Sequence, residues 1–218
     1  MKHACLSIIF LAALAQITNA QDVTNSITES SLQIDTRTDE QRIEFLLNVA
    51  QVYFDEENYE DAIDAYERVL EIDPDHKQAR YTVSHVYINA NEYEKAIVEL
   101  NGLLENNPED YHLMNNLAWL YATAEDPKYR DGTKAIQLAQ NAMVLAPNDH
   151  HIWSTLSEAY YITGEYEKAY RAITHMAKLA ARYGKGLSKE AVDNYNEQIR
   201  KCKRAWDTKK MLEGEEVE

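Results

Sequence analysis

The residues with the strongest claim to chemistry are His112 and His151, with His150 and Asp149 beside the second of them. Imidazoles and a carboxylate that converge can ligate a metal or move protons. The fixed ligand spacing of a metal site is missing, and histidines at element ends are usually exposed polar residues, so no metal site is expected. Cys202 has no histidine near it in sequence and no motif that would activate a thiolate. No G-x-S-x-G, H-E-x-x-H, P-loop or G-x-G-x-x-G occurs. The 37 Asp and Glu are spread along the chain, so no pair of them stands out as acid and base. The expectation is a protein that is not an enzyme and carries no cofactor.

Composition narrows the class further. The 218 residues are 45% hydrophobic and 27% charged, and the net charge of −15 is the wrong sign for holding nucleic-acid phosphates. Anionic membrane surfaces are disfavoured for the same reason. Six Gly and four Pro are too few for a turn-rich all-β fold, and two Cys cannot make a disulfide scaffold. A soluble, acidic, helical chain remains.

Met1–Ala20 has the layout of a signal peptide: Lys2, an uncharged run Ala4–Ala15, then small residues at Thr18 and Ala20. The run is too short to span a bilayer, which takes roughly 20 apolar residues. An uncleaved N-terminal anchor is the alternative. Cys5 lacks the setting of a lipoprotein acceptor. Removing Lys2 with the leader takes the net charge from −15 to −16 and leaves Cys202 as the sole thiol, with no integral membrane segment. The expected location is periplasmic or secreted. Gln21–Thr38 is polar and aperiodic, a flexible lead-in.

An internal period organises the rest. Tyr53, Tyr87, Tyr121 and Tyr160 are 34, 34 and 39 residues apart, and Ala62, Ala96, Ala135 and Ala169 are 34, 39 and 34 apart. Pro74, Pro108 and Pro147 repeat the 34 and 39. One five-residue insertion between Tyr121 and Ala135 accounts for every deviation. Four units follow, at 43–76, 77–110, 111–149 and 150–183, within a domain at 39–184. Leu46, Val49, Ala50 and Tyr53 recur at helical spacing, as do Ala62, Ile63, Tyr66, Val69 and Leu70 after a break. Each unit is therefore two helices, closed by a proline that cannot continue the second. Ala50, Ser84, Ala118 and Ser157 share one position where helices must approach closely.

These residues resemble the tetratricopeptide repeat (TPR) family. Trp153, Leu156, Tyr160, Gly164, Tyr166 and Ala169 make the fourth unit the nearest match, and the third resembles a long-loop version frequent in bacterial members. The resemblance implies an all-α solenoid of about four helix-turn-helix units whose first helices line a concave groove. Carried onto this sequence, the groove positions include Asn48, Gln51, Tyr81, His85, Asn115, Asn116, Trp119, Ser154, Glu158 and Tyr161. Leu47, Phe54, Thr82, Ile88, His112, His151 and Thr155 fall at groove positions too. The set contains amides, hydroxyls and aromatics but no Lys or Arg, so the carboxylate clamp of some family members is not expected.

A repeat stack needs a polar-backed cover on its last apolar face. The segment 185–211 supplies one, with Ser188 as cap and Val192, Tyr195, Ile199, Cys202 and Trp206 on one stripe; an acidic tail, 212–218, follows. Charge is segregated: Asp55–Asp75 carries ten acidic residues and one arginine, Arg200–Lys210 six basic residues and one acidic. The function expected is an exported TPR adaptor or scaffold that binds a protein or extended peptide, as a monomer or weak homo-oligomer. A glycan- or peptidoglycan-fragment binder and a self-assembling structural subunit are the alternatives. The exported protein should begin at Gln21, and N-terminal sequencing that finds Met1 would show that the leader is retained.

Overall fold

The computed structural model describes residues 37–183 and 188–217. The leader and most of the lead-in lie outside the described residues. The chain divides into Met1–Gln41 and Arg42–Glu218, and the second unit, which begins inside the first helix, is the solenoid described here. Its helices are α1 (Asp39–Asp55), α2 (Tyr59–Ile72), α3 (Lys77–Asn89), α4 (Tyr93–Asn106), α5 (Tyr111–Thr123), α6 (Gly132–Leu145), α7 (His150–Ile162), α8 (Tyr166–Tyr183) and α9 (Lys189–Glu213). No strand occurs among the described residues, and no helix there is long and apolar enough to cross a membrane.

The pairs are bounded by local chemistry. Each first helix after a proline turn is capped by a side chain: His76 Nδ1 accepts from the Ala79 N–H, Asp110 from those of His112 and Leu113, and Asp149 from that of His151. These caps satisfy N–H groups that have no partner within the helix. Three of the inter-helix turns place one residue in the left-handed region, Glu57 at φ 59°, Asn91 at φ 61° and Gly164 at φ 77°. The third unit departs from this. Its insertion forms a short 3₁₀ turn, Pro127–Tyr129, that folds back on the second unit: the Tyr129 ring lies 5.3 Å from that of Tyr93, and the Glu125 N–H donates to the Tyr93 hydroxyl.

Packing follows the repeat. Ala50, Ser84, Ala118 and Ser157 are at most 1% exposed, and the partner positions Ala62, Ala96, Ala135 and Ala169 are fully buried. Larger side chains, among them Val83, Leu100, Leu120 and Leu156, fill the space between pairs. At the C-terminal end α9 packs on α8, with Cys202, Tyr195 and Ile199 against Ala169, Ile173, Met176 and Ala180. Trp206 meets Tyr170 at 5.6 Å between ring centroids. Val192 departs from the expected stripe and is 39% exposed. Cys202 is buried, which pushes its thiol pKa up, and its sulfur lies 3.7 Å from the Ser157 hydroxyl. A protonated thiol in that place behaves as a small apolar residue.

Two outcomes follow. Deleting Ser188–Glu218 should uncover Ile173 and Met176 and cause aggregation or a lower melting midpoint; a monomeric truncation with an unchanged midpoint would show that α9 does not protect the stack. Glu57→Gly should raise stability by about 0.5–1 kcal/mol by relieving a left-handed non-glycine residue, and Gly164→Ala should lower it by about 1 kcal/mol. Nothing lies within 4 Å of a Cβ built on Gly164, so that loss is one of backbone conformation, read by denaturant titration.

Candidate partner-binding groove

α3, α5 and α7 stand side by side, and side chains from all three enclose a cavity of about 460 Å³. Tyr81 and His85 come from α3, one turn apart. Asn115, Asn116 and Trp119 come from α5, and Ser154 and Thr155 from α7. Spacings of three and four residues, from Tyr81 to His85, from Asn115 and Asn116 to Trp119, and from His151 to Ser154 and Thr155, put each set on one helix face. Six of the ten expected groove residues therefore share this cavity, along with His112, His151 and Thr155 from the wider set. Asp149, noted beside His151 in the sequence, lines it as well; Tyr111, at the start of α5, and Ile152 also line it and were not expected.

The cavity wall is partly pre-organised. The Asn116 side-chain N–H₂ reaches the His85 Nε2 at 2.7 Å and the Tyr81 hydroxyl at 3.3 Å, tying α5 to α3. An amide nitrogen only donates, so His85 accepts at Nε2 and carries its proton on Nδ1. Burial pushes the His85 pKa down, which agrees with a neutral ring. Tyr81 supports it, with ring centroids 4.9 Å apart. Asn115 has a side-chain oxygen that is buried and has no hydrogen-bond partner. Trp119 is 38% exposed, which is unusual for the largest apolar side chain.

The other four expected residues lie elsewhere. Asn48 and Gln51 are exposed on α1, and Gln51 donates to Asp55 within its own helix. Glu158 and Tyr161 on α7 are met by α9: Lys201 Nζ lies 3.1 Å from the Glu158 carboxylate and 4.2 Å from the centre of the Tyr161 ring. A cation therefore stands at expected groove residues, and it is paired. The basic run at 200–210 was visible in the sequence, but the register of α9 against α7 was not. Leu47, Phe54 and Ile88 pack against the core. His112 and His151 share the cavity, yet among the described residues no three His, Cys, Asp or Glu side chains gather where a metal ion could bind.

The sequence pattern of the tetratricopeptide repeat family matches residues 53–127, about a third of the chain. No curated protein matches the sequence. Solved structures do. MamA 41-end from Desulfovibrio magneticus RS-1 is 18% identical over 75% of this chain and 97% of its own, with a TM-score of 0.56. TTC0263, described as a thermophilic TPR protein in Thermus thermophilus, is 18% identical over 75% and 91%, with a TM-score of 0.54. A mutant of the Thermobaculum terrenum O-GlcNAc transferase is 20% identical over 68% of this chain but only 27% of its own, with a TM-score of 0.54. At these identities the likeness is one of fold. Residues 53–127 carry the tetratricopeptide repeat pattern, and the described helix pairs have the fold of solved proteins that carry it.

Proposed function

We propose that the protein is a non-catalytic adaptor that holds an extended segment of a partner protein against α3, α5 and α7. The fold is typical of protein-interaction scaffolds. The observation that carries the reading is the half-exposed Trp119 beside a buried Asn115 oxygen without a partner. An exposed indole is an anchor for an apolar side chain, and an orphaned acceptor is the group that a strand's backbone N–H would satisfy. The leader, if it acts as one, brings this encounter to the periplasm or the outside of the cell.

Trp119→Ala should weaken binding of the partner by about 2 kcal/mol, roughly 30-fold, as loss of a central anchor does. Lys201 is paired with Glu158, so affinity should change little between low and physiological salt. The measurement is a titration of a partner captured from the envelope fraction against both proteins at two salt concentrations. A folded Trp119→Ala that binds as the wild type does would remove the groove as the working surface. Binding to sugars and not to peptides on arrays would replace the protein partner by a glycan.

The buried imidazole gives a second expectation. The His85 pKa lies below its ordinary value in the folded chain, so the unfolded chain takes up the proton first as pH falls. Stability conferred by neutral His85 is full above the ordinary imidazole range, near pH 6.5, and is lost as pH falls below it. His85→Gln keeps an acceptor for Asn116 but does not titrate. Denaturant titrations at pH 7.5 and 5.5 should show the wild type losing more stability than His85→Gln. Equal losses would mean that His85 is not held neutral.

A further inference from the structure

The helices that turn away from the groove carry a pattern of their own. At one repeat position stand Asp64, Val98, Gln137 and Arg171, and seven residues on stand Glu71, Glu105, Val144 and Lys178. Seven residues is close to two turns, so both rows lie on one face of α2, α4, α6 and α8. All eight residues are exposed, Val98 at 65% and Val144 at 79%. Both rows begin with a carboxylate in α2 and end with a cation in α8. The whole helices follow suit. α2 holds five carboxylates and one arginine, and α4 three carboxylates and one lysine. α6 holds a single lysine, and α8 one carboxylate against Lys168, Arg171, Lys178 and Arg182. The outer face thus passes from negative to positive along the chain, with its exposed valines in the two middle helices.

A face of this kind is complementary to itself turned end for end. We infer that two copies of the chain associate through these outer faces about a two-fold axis. α2 of one copy lies against α8 of the other and α4 against α6, so that Asp64 and Glu71 face Arg171 and Lys178, while Val98 and Val144 lie on the two central helix pairs. Such a contact is isologous and closes at two copies. Four helices of 14 to 18 residues, about 21 Å or more long and spaced about 10 Å apart, offer roughly 700 Å² per copy, near the lower end for a specific interface. Arg171 pairs with Glu167 in its own helix, but exposed pairs of that spacing hold only weakly and exchange readily. The net charge of −15 opposes approach at long range, while opposite signs face each other at contact. The association is accordingly weak and salt-sensitive. It leaves the groove of each copy open, so the assembly presents two.

The test is sedimentation equilibrium of the full chain at roughly 10 to 500 µM, a range suited to contacts of this size, at low and high salt. The wild type should approach twice the monomer mass at low salt and return toward one at high salt. Asp64→Lys with Glu71→Lys, and separately Arg171→Glu with Lys178→Glu, should each stay monomeric with unchanged circular dichroism. Mixing the two variants, or combining all four changes in one chain, should restore the twofold mass, because each brings opposite charges together again. A wild type that remains monomeric throughout would overturn the inference. So would double variants that associate as the wild type does, or a mass that grows beyond two, which would indicate head-to-tail stacking.

Discussion

How near the two helices of a pair can come decides the rest of the solenoid. One position per unit sets that distance, occupied by Ala50, Ser84, Ala118 and Ser157, facing the alanines of the second helices. Nothing larger than serine stands there, and a bulkier side chain would force the overpacking that cores tolerate poorly. The two serines meet the polar requirement of burial. Ser84 donates to the Tyr81 carbonyl of its own helix and Ser157 to the Ala169 carbonyl across the pair. With the distance fixed, rotation of each first helix is fixed as well. Asn115 and Trp119, flanking Ala118 in α5, are thereby turned toward the cavity.

The same constraint explains what could be read from the sequence. Small and large positions recur at 34 residues because every pair repeats one local packing problem, so the pairs, their turns and the first-helix faces were legible. The grouping of Tyr81, His85, Asn115, Asn116, Trp119 and Ser154 followed from the groove positions that the family resemblance implies. The unrepeated features were not legible. Lys201 meets Glu158 across 43 residues, and no second copy of α9 exists from which its register could be inferred. The insertion was evident as a break in spacing, yet its return onto Tyr93 depends on the third dimension. Val192, counted by periodicity onto the buried stripe of α9, is exposed in the first turn of that helix.

α9 also changes the chemical character of one end of the first-helix face. The sequence offered acceptors, hydroxyls and rings there, and the structure adds an ammonium held between a carboxylate and a ring. Lys201 is spent on Glu158, so this end is closed by a neutral pair and does not act as an anion clamp. The polar variety of the face is then concentrated in its middle, under Trp119.

The tie at Tyr93 bears on how the molecule comes apart. Its hydroxyl donates to Asn91 in the turn of its own unit and accepts from Glu125 in the next, while its ring packs on Tyr129. Arrays of repeats open one unit at a time when each touches only its neighbours through similar interfaces. The insertion adds this fastening to the interface between the second and third units, where Tyr87–Glu67 and Gln140–Tyr160 bonds join the neighbouring pairs of units. Fraying that starts at Asp39 must stop at, or release together, the pairs α3–α4 and α5–α6. Those are the pairs that bring Tyr81, His85, Asn115, Asn116 and Trp119 to the cavity, so the insertion couples the opening of one wall of the cavity to that of the other.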